Sequence, residues 1–178
     1  MACDISLGRI EPCKDSNGGL KAVYFVNWSE KTAITYGTGA DTDAIEAVAD
    51  YDGNPVNAYK YELKGNSSFT QTITSSRENG TTFFQQELAL TLKKLSIIDN
   101  KQIKLLAYGR PMVIVEDNNG SLFLCGTEHG MDVTGGTIVT GAAMGDLSGY
   151  TLTLTGMEPI PANFFLNTLA QSNFTVIN

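Results

Sequence analysis

The chain has 178 residues, which is enough for one domain with a hydrophobic core. Hydrophobic residues make up 42% of it and charged residues 17%, a composition that excludes disorder over most of the chain. The net charge of -7 argues against binding of duplex nucleic acid as the main task, because that binding needs a cationic face. A single histidine excludes metal sites built from several histidines.

The amino-terminal residues 1–19 combine Gly8, Pro12 and the pair Gly18–Gly19 with alternating charges. They lack the apolar core of a signal peptide, and the strongest apolar run, 22–26, is far below the roughly 20 residues that cross a bilayer. We therefore predict an arm at 1–19, synthesis in the cytosol and no membrane partner.

Residues 20–28 are apolar on both faces, a pattern that indicates a strand covered on each side. The next segment, 29–57, has glycines and a proline but no clear period, apart from a modest strand candidate at 44–48. Long weakly patterned segments inside a compact domain are often functional loops. We predict a long loop at 29–57 that contacts a partner.

A period of two residues then recurs along the chain, with apolar residues alternating with Lys, Glu, Gln or Thr. It predicts strands with one buried face at 59–63, 69–74, 84–92 and 151–155. Threonine is β-branched and favours strands, so propensity and pattern agree.

Two hairpins are predicted in the second half. Residues 112–124 place the turn Asp117-Asn118-Asn119-Gly120 between apolar runs, and Asn-Gly supplies the positive φ angles of a tight turn. Residues 131–139 place Gly135–Gly136 between two shorter runs, a looser signal of the same kind.

One helix is predicted over 99–107, with Asp99 as its N-cap and Gly109 as its stop. Residues 95–98 fit either an earlier helix start or an extension of the preceding strand. Residues 161–170 fit a short turn of helix. Together the patterns predict a mainly β protein, a single β-sandwich or barrel over 1–178 with one flanking α-helix.

An enzyme would have to use His129, with Cys125 four residues upstream and Glu128 and Asp132 beside it. A Cys-His pair can activate a thiolate. Neighbours on a strand that ends in a turn need not face one another, so a polar residue at a strand end is the favoured interpretation of His129.

Three other groups of residues resemble chemical sites without completing one. They are the cysteines Cys3 and Cys13, the glycine-rich runs 135–137 and 141–146, and the carboxylate pairs Asp41/Asp43 and Glu116/Asp117. The spacing of the cysteines fits no zinc knuckle. A phosphate-binding loop needs a lysine where Asp146 stands. The carboxylate pairs lie in turn-like segments, whereas a glycosidase needs two acids that face each other across a cleft. We predict no catalytic, cofactor-binding or metal-binding residue and no enzyme.

Two parts of the sequence carry a family resemblance. They are the opening run MACDISLGRIEPCKD at 1–15, and the stretches Gly135-Gly136-Thr137, Gly141-Ala142-Ala143-Met144-Gly145-Asp146, Gly149-Tyr150 and Gly156-Met157-Glu158-Pro159. Both resemble virion structural proteins of tailed phages, those of crAss-like phages in particular. The order of the predicted elements is similar to the tail-tube fold.

This resemblance implies a non-enzymatic structural protein of the tail-tube or neck-ring type, made in the host bacterial cytoplasm and located in the virion. Such proteins form rings, commonly hexameric, through which genomic DNA passes without specific binding. The implied partners are further copies of the chain, in a hexamer or a multiple of it, and neighbouring tail or portal-proximal virion proteins. An acidic lining would let DNA slide because it repels phosphate. The arm 1–19 would order on assembly and the loop 29–57 would reach a neighbour.

The alternative from another class is a phage appendage that binds a host-surface glycan. It would expose aromatic side chains on loops, and the candidates nearest to loop-like segments are Trp28, Tyr36, Tyr51 and Tyr108. No cofactor is expected for either function.

Overall fold

A computed structural model of the chain describes residues 7–28 and 32–178. Within them the chain is mainly β, with one α-helix, α1 (Ile97–Tyr108), and one turn of 3-10 helix (Gly39–Asp41). The strands are β1 (Leu20–Val26), β2 (Thr32–Tyr36), β3 (Ile45–Asp50), β4 (Val56–Glu62), β5 (Ser68–Ser76), β6 (Thr81–Lys93), β7 (Met112–Asp117), β8 (Leu122–Cys125), β9 (Asp132–Val139), β10 (Gly149–Glu158), β11 (Asn163–Phe164) and β12 (Phe174–Ile177). The predicted β-sandwich-like class with one helix is confirmed. No helix in the described ranges has the length and apolarity to span a membrane.

The strands form two sheets and a separate hairpin. One sheet has six strands in the order β11-β8-β7-β1-β4-β12, and the other has four in the order β5-β6-β10-β9. Strands β2 and β3 pair only with each other. All neighbouring strands are antiparallel except β12, which runs parallel to β4.

Two hydrophobic cores lie on opposite faces of the six-stranded sheet. The first fills the space between the two sheets and includes Val23, Leu88 and Ile103 of the helix. The second lies under the β2–β3 hairpin and the carboxyl-terminal segment, and includes Ile114 and Phe174. The six-stranded sheet is therefore the middle layer, which explains why β1 is apolar on both faces as predicted.

The helix begins earlier than its sequence signals predicted. Ser96 is the N-cap: its Oγ accepts a hydrogen bond from the Asp99 N–H at 3.0 Å and donates one to Asp99 Oδ2 at 2.6 Å. Asp99 therefore lies in the first turn, where a carboxylate is favourable, and residues 97 and 98 belong to the helix. The predicted stop is confirmed, since the Gly109 N–H donates to the Leu105 carbonyl at 2.9 Å.

The two hairpin predictions have opposite outcomes. Strands β7 and β8 pair around a turn in which Gly120 has a φ of 86°, as predicted. The predicted turn at Gly135–Gly136 is wrong, because β9 continues through both glycines and pairs with β10 along its length. A Cβ on Gly136 would lie 2.4 Å from the Thr151 carbonyl oxygen, so glycine permits close strand packing there.

The segment 29–57 was predicted as a long loop, and this is wrong for its residues 32–36 and 45–50. Its residues 32–36 and 45–50 form the β2–β3 hairpin, in which Ile45 and Val48 are fully buried in the second core. Residues 29–31 lie outside the described part. The strand candidate at 44–48 is confirmed as β3.

The carboxyl-terminal prediction also fails. Residues 161–170 contain the short strand β11 and turns instead of a helical turn. Asn163 pairs with Leu124, and the Phe165 N–H donates to the Leu122 carbonyl at 3.0 Å, so backbone bonds to β8 hold this segment extended.

The amino-terminal arm is described from residue 7, and residues 7–19 contain no helix or strand. Its inner end is tied to the β7–β8 turn. The Asn17 N–H donates to Asn119 Oδ1 at 2.8 Å, and Asn119 Nδ2 donates back to the Asn17 carbonyl at 2.9 Å. Further out, Leu7 and Ile10 are almost fully exposed. Residues 1–6 lie outside the described part.

Candidate functional site

The four-stranded sheet ends in two open edges, formed by β5 and β9. In the described ranges neither strand pairs with another strand on its outer side. Strand β5 has nine residues without a charge or a proline, and in β9 only the first residue, Asp132, is charged. Proteins usually protect edge strands with charges, prolines or short length, because exposed N–H and C=O groups pair with other strands. Both edges therefore suit pairing with another chain.

Each edge also exposes an apolar side chain on the face of the sheet that points toward the core. Ile73 lies opposite Phe84, and Ile138 lies opposite Tyr150. Ile73 is 66% exposed and Ile138 is 60% exposed. The layer that covers the middle of this sheet therefore stops short of both edges.

The opposite face of the four-stranded sheet is rich in hydroxyl groups. Its threonines include Thr70, Thr72, Thr74, Thr81, Thr91, Thr137, Thr151, Thr153 and Thr155. Glu87 and Asp132 are the acidic residues among them, and Lys93 stands at the end of the β6–β10 pairing. This face also carries the apolar side chains of Phe83 and Met157, and cationic groups are sparse on it.

A groove of about 580 Å³ lies between helix α1 and the ends of β1 and β4. Aromatic residues line it, including Tyr59 of β4 and Trp28, which follows β1, and so do amide side chains such as that of Gln102 in α1. The Arg110 guanidinium carbon lies 3.8 Å from the centroid of the Trp28 ring, a cation–π contact that fixes both side chains.

Of the four aromatic residues proposed from the sequence, the structure brings only Trp28 into this groove. Tyr36, Tyr51 and Tyr108 are exposed elsewhere. The sequence had placed Tyr59 on the buried face of a strand. It is indeed on the core-facing side of β4, but at the open end of the first core, where it lines the groove.

The sequence-proposed Cys125–His129 pair is not assembled. Cys125 is fully buried in the first core, and burial strongly raises the pKa of its thiol, which disfavours the thiolate. The His129 side chain is mostly exposed and its Nδ1 lies 3.5 Å from Glu158 Oε2. Asp132 contributes to the edge strand β9 instead.

Glu158 is the residue that the sequence reasoning missed as a candidate site residue. It ends strand β10 with a fully buried carboxylate, which accepts hydrogen bonds from the Glu128 N–H and from the His129 N–H at 3.0 Å. The buried Gln86 of β6 accepts one from the Gly126 N–H at 3.0 Å. Two buried polar side chains thus hold the 126–130 turn that carries Glu128 and His129.

The remaining sequence candidates serve turns and surface pairs. Asp146 Oδ2 accepts hydrogen bonds from the N–H groups of residues 142 and 143, which lower the pKa of its carboxyl group. Asp117 Oδ1 accepts from the Asn119 and Ser121 N–H groups in the β7–β8 turn. Cys13 is exposed, and Cys3 lies outside the described part.

Glu116 forms a small network with residues of β1. Its carboxylate accepts hydrogen bonds from Lys21 Nζ and, at 2.6 Å, from the Tyr24 hydroxyl. Partial burial raises the pKa of Glu116, but these two bonds outweigh it and hold the pKa below its ordinary value. Asp43, by contrast, contributes its backbone carbonyl, which accepts from Asn163 Nδ2 at 2.6 Å.

No protein-family profile, curated protein or solved structure matches this chain. Its function is therefore inferred from the edges and the groove.

Proposed function

We propose that this chain is a non-enzymatic virion structural protein that assembles head to tail into a ring or tube through which DNA passes. The observation that carries the proposal is the pair of open, nearly uncharged edges β5 and β9. The resemblance of 1–15 and of the glycine-rich stretches to phage tail-tube and neck-ring proteins agrees with it.

The strand directions suit this assembly. All three pairings in β5-β6-β10-β9 are antiparallel, so β5 and β9 run in opposite directions. When β9 of one copy meets β5 of the next, the new pair is also antiparallel and the sheet continues. Each copy uses two different edges, which is a head-to-tail interface, and such interfaces close into rings when the rotation between copies allows it.

The same contact would bury the apolar side chains that the edges expose. Ile73 and Ile138 both lie on the core-facing side of the sheet, so a continued sheet keeps them on one common side. Burying a side chain of this size contributes about 1.5–3 kcal/mol. The edges therefore offer both backbone pairing and apolar burial.

The threonine-rich face would line the opening for DNA. DNA carries roughly one negative charge per 1.7 Å of helix axis, so a cationic lining would hold it. This face carries Glu87 and Asp132, with Lys93 only at one end. Hydroxyl groups and a few carboxylates leave the duplex free to slide.

A second exposed surface suits the neighbouring tail or portal-proximal proteins. Helix α1 exposes Ile97, Ile98, Leu105 and Tyr108.

The hairpin β2–β3 belongs to the segment 29–57 that was expected to reach a neighbouring copy. Deleting residues 37–54 would not test that contact, because it would also remove Ile45 and Val48 from the second core.

The test is the native mass of the purified chain over a range of concentrations, with negative-stain images of the same samples. We expect rings or tubes with a central hole for the wild-type chain. Ile73→Lys and Ile138→Lys each place a charge on one edge and should abolish the rings while leaving the far-UV circular dichroism unchanged. Ile97→Lys is the matched control, an equally drastic change at an exposed isoleucine on the helix.

Rings that persist in both edge variants would refute edge pairing. A wild-type chain that remains monomeric at every concentration would contradict spontaneous self-assembly, that is, assembly that needs no other protein to start it. That result would favour the second candidate.

That second candidate is a glycan-binding appendage, and the Trp28 groove is the observation that favours it. A pyranose presents apolar C–H faces and a rim of hydroxyl groups. The aromatic rings of Trp28 and Tyr59 suit the faces, and Asn27, Gln102 and Arg110 offer donors and acceptors for the rim.

Trp28 is the only tryptophan, so its fluorescence reports on this groove directly. A glycan microarray would identify a ligand, and titration with that glycan should change the Trp28 emission. Tyr59→Ala should weaken binding, whereas Tyr108→Ala, an exposed tyrosine outside the groove, should not. An array without any bound glycan would exclude this candidate.

A further inference from the structure

We propose that Glu128, His129 and Glu158 form a binding site for a divalent transition-metal cation of the zinc type, a property beyond the assembly proposed above. One nitrogen and two carboxylate oxygens, one from each residue, lie within 4.8 Å of one another. Glu128 and His129 are exposed, and Glu158 is buried beneath them.

The separation of two of these ligand atoms already fits a metal polyhedron. His129 Nδ1 and Glu158 Oε2 are 3.5 Å apart. Zinc binds nitrogen and oxygen at about 2.0–2.2 Å, so two of its tetrahedral ligands stand roughly 3.4 Å apart. The exposed Glu128 side chain can rotate to supply the third ligand without moving the backbone.

The site is also held in place by residues that would not bind the metal. Gln86 fixes the Gly126 N–H, and the Gly130 N–H donates to the Gly126 carbonyl at 3.1 Å, which closes the turn. Gly126 and Gly130 both have positive φ angles, of 70° and 75°, which suit glycine. Outer residues that orient the ligands in this way are typical of metal sites.

A second observation is the burial of the Glu158 carboxyl group. Its side chain has no exposed surface, and among residues 7–28 and 32–178 its one ion-pair partner is His129, with no Lys or Arg within reach. A buried carboxylate needs compensation, and the backbone N–H groups of the turn supply only part of it. A bound cation would complete this compensation.

The ligand atoms select the class of cation. Imidazole suits zinc, copper, iron and nickel, whereas magnesium and calcium prefer oxygen ligands alone. A shallow pocket of about 480 Å³, lined also by Phe83, Met157 and Pro159, opens over the three residues. It leaves coordination positions for water.

The test is calorimetric titration of the chelator-treated, full-length chain with ZnCl₂ and, separately, with MgCl₂ near pH 7. We expect one zinc ion per chain and no heat from magnesium. His129→Ala and Glu128→Gln change exposed side chains, so both should fold, and each should weaken zinc binding on the order of tenfold or more. Glu87→Gln, an exposed carboxylate on the opposite face of the sheet, should bind zinc like the wild type.

A cobalt titration provides a second readout that does not depend on stability. A site with nitrogen and oxygen ligands should give the visible absorption of low-coordinate Co²⁺, and His129→Ala should lose it. The proposal is overturned if the wild type binds no zinc, or if His129→Ala binds zinc with unchanged affinity. Neither result depends on whether the chain forms rings, provided that binding is measured on the species present.

Discussion

The two sheets of this protein differ in what they do with their faces and edges. The six-stranded sheet is covered on both faces and ends in short strands, β11 with two residues and β12 with four. The four-stranded sheet is covered on one face and ends in the nine-residue β5 and the eight-residue β9. Short edges resist pairing with other chains, and long uncharged edges favour it.

This difference assigns stability mainly to the six-stranded sheet and interaction with other molecules mainly to the four-stranded sheet. The middle layer contributes to both hydrophobic cores, so most of the free energy of folding should depend on it. The outer sheet has room for surface chemistry that does not disturb the fold, and the open edges, the threonine-rich face and Glu158 all belong to it. The predictions below test this division, from the largest expected effect to the smallest.

The first prediction compares one isoleucine from each sheet. Ile114 in β7 is fully buried in the second core, and Ile114→Ala should lower the free energy of unfolding by about 2–5 kcal/mol. Ile138→Ala at the β9 edge should change it by less than about 0.5 kcal/mol in the monomer. Urea unfolding of monomeric samples measures both, and equal effects would refute the division.

The second prediction concerns two adjacent glycines of β9. Gly136→Ala should lower the free energy of unfolding by about 1–3 kcal/mol, because its Cβ would meet the Thr151 carbonyl oxygen in β10. Gly135→Ala is the matched control, since a Cβ there meets no atom within 4 Å. Thermal unfolding of both variants checks it, and a Gly136→Ala protein as stable as Gly135→Ala would contradict the close packing of β9 on β10.

The third prediction concerns the helix that connects the two sheets, from β6 to β7. Ser96→Ala removes the cap of α1 and should lower the free energy of unfolding by about 1 kcal/mol. Hydrogen exchange should rise in the first turn of the helix and not in β7. Ser148→Ala changes an exposed serine elsewhere and serves as the control.

The smallest effect is expected for Glu116 at the rim of the six-stranded sheet. Because the folded-state pKa of Glu116 is lowered, its contribution to stability is present above the unfolded pKa of about 4.3 and is lost as pH falls through the folded value. Glu116→Gln should therefore flatten the acid limb of the stability profile below about pH 4.3. Urea midpoints between pH 2.5 and 7, with Glu87→Gln as the control, test this sign.

Much of the four-stranded sheet and the centre of the six-stranded sheet could be predicted from local patterns. Alternation in 84–92 and 151–155 identified β6 and β10, and a run apolar on both faces identified β1. The Asn-Gly turn at 119–120 could also be predicted, because the positive φ angles of a tight turn depend only on the residues of the turn itself.

The failures have a common physical cause, which is that the deciding contact lies far away in sequence. Gly135–Gly136 carries a turn signal, but pairing with β10 keeps it extended. The segment 29–57 shows no clear period and was predicted as a loop, because the burial of Ile45 and Val48 depends on a sheet formed by other strands.

The candidate site was hidden for the same reason. Glu158 lies 29 residues after His129, and no spacing motif links them. Only the pairing of β9 with β10 brings the end of β10 under the 126–130 turn. The Trp28 groove likewise needs the docking of helix α1 beside two strands.

Because the two edges of the four-stranded sheet differ, wild-type chains mixed with an edge variant should behave in a characteristic way. In the proposed ring, a copy with a charge on β9 but an intact β5 would still pair with one neighbour, and it would then have no edge that pairs with the next copy. Such a copy acts as a chain terminator. Since one terminator is enough to keep a ring open, a minor fraction of Ile138→Lys chains should suppress ring formation by the wild type far beyond their own number, and the steepness of that suppression would count the copies in a ring.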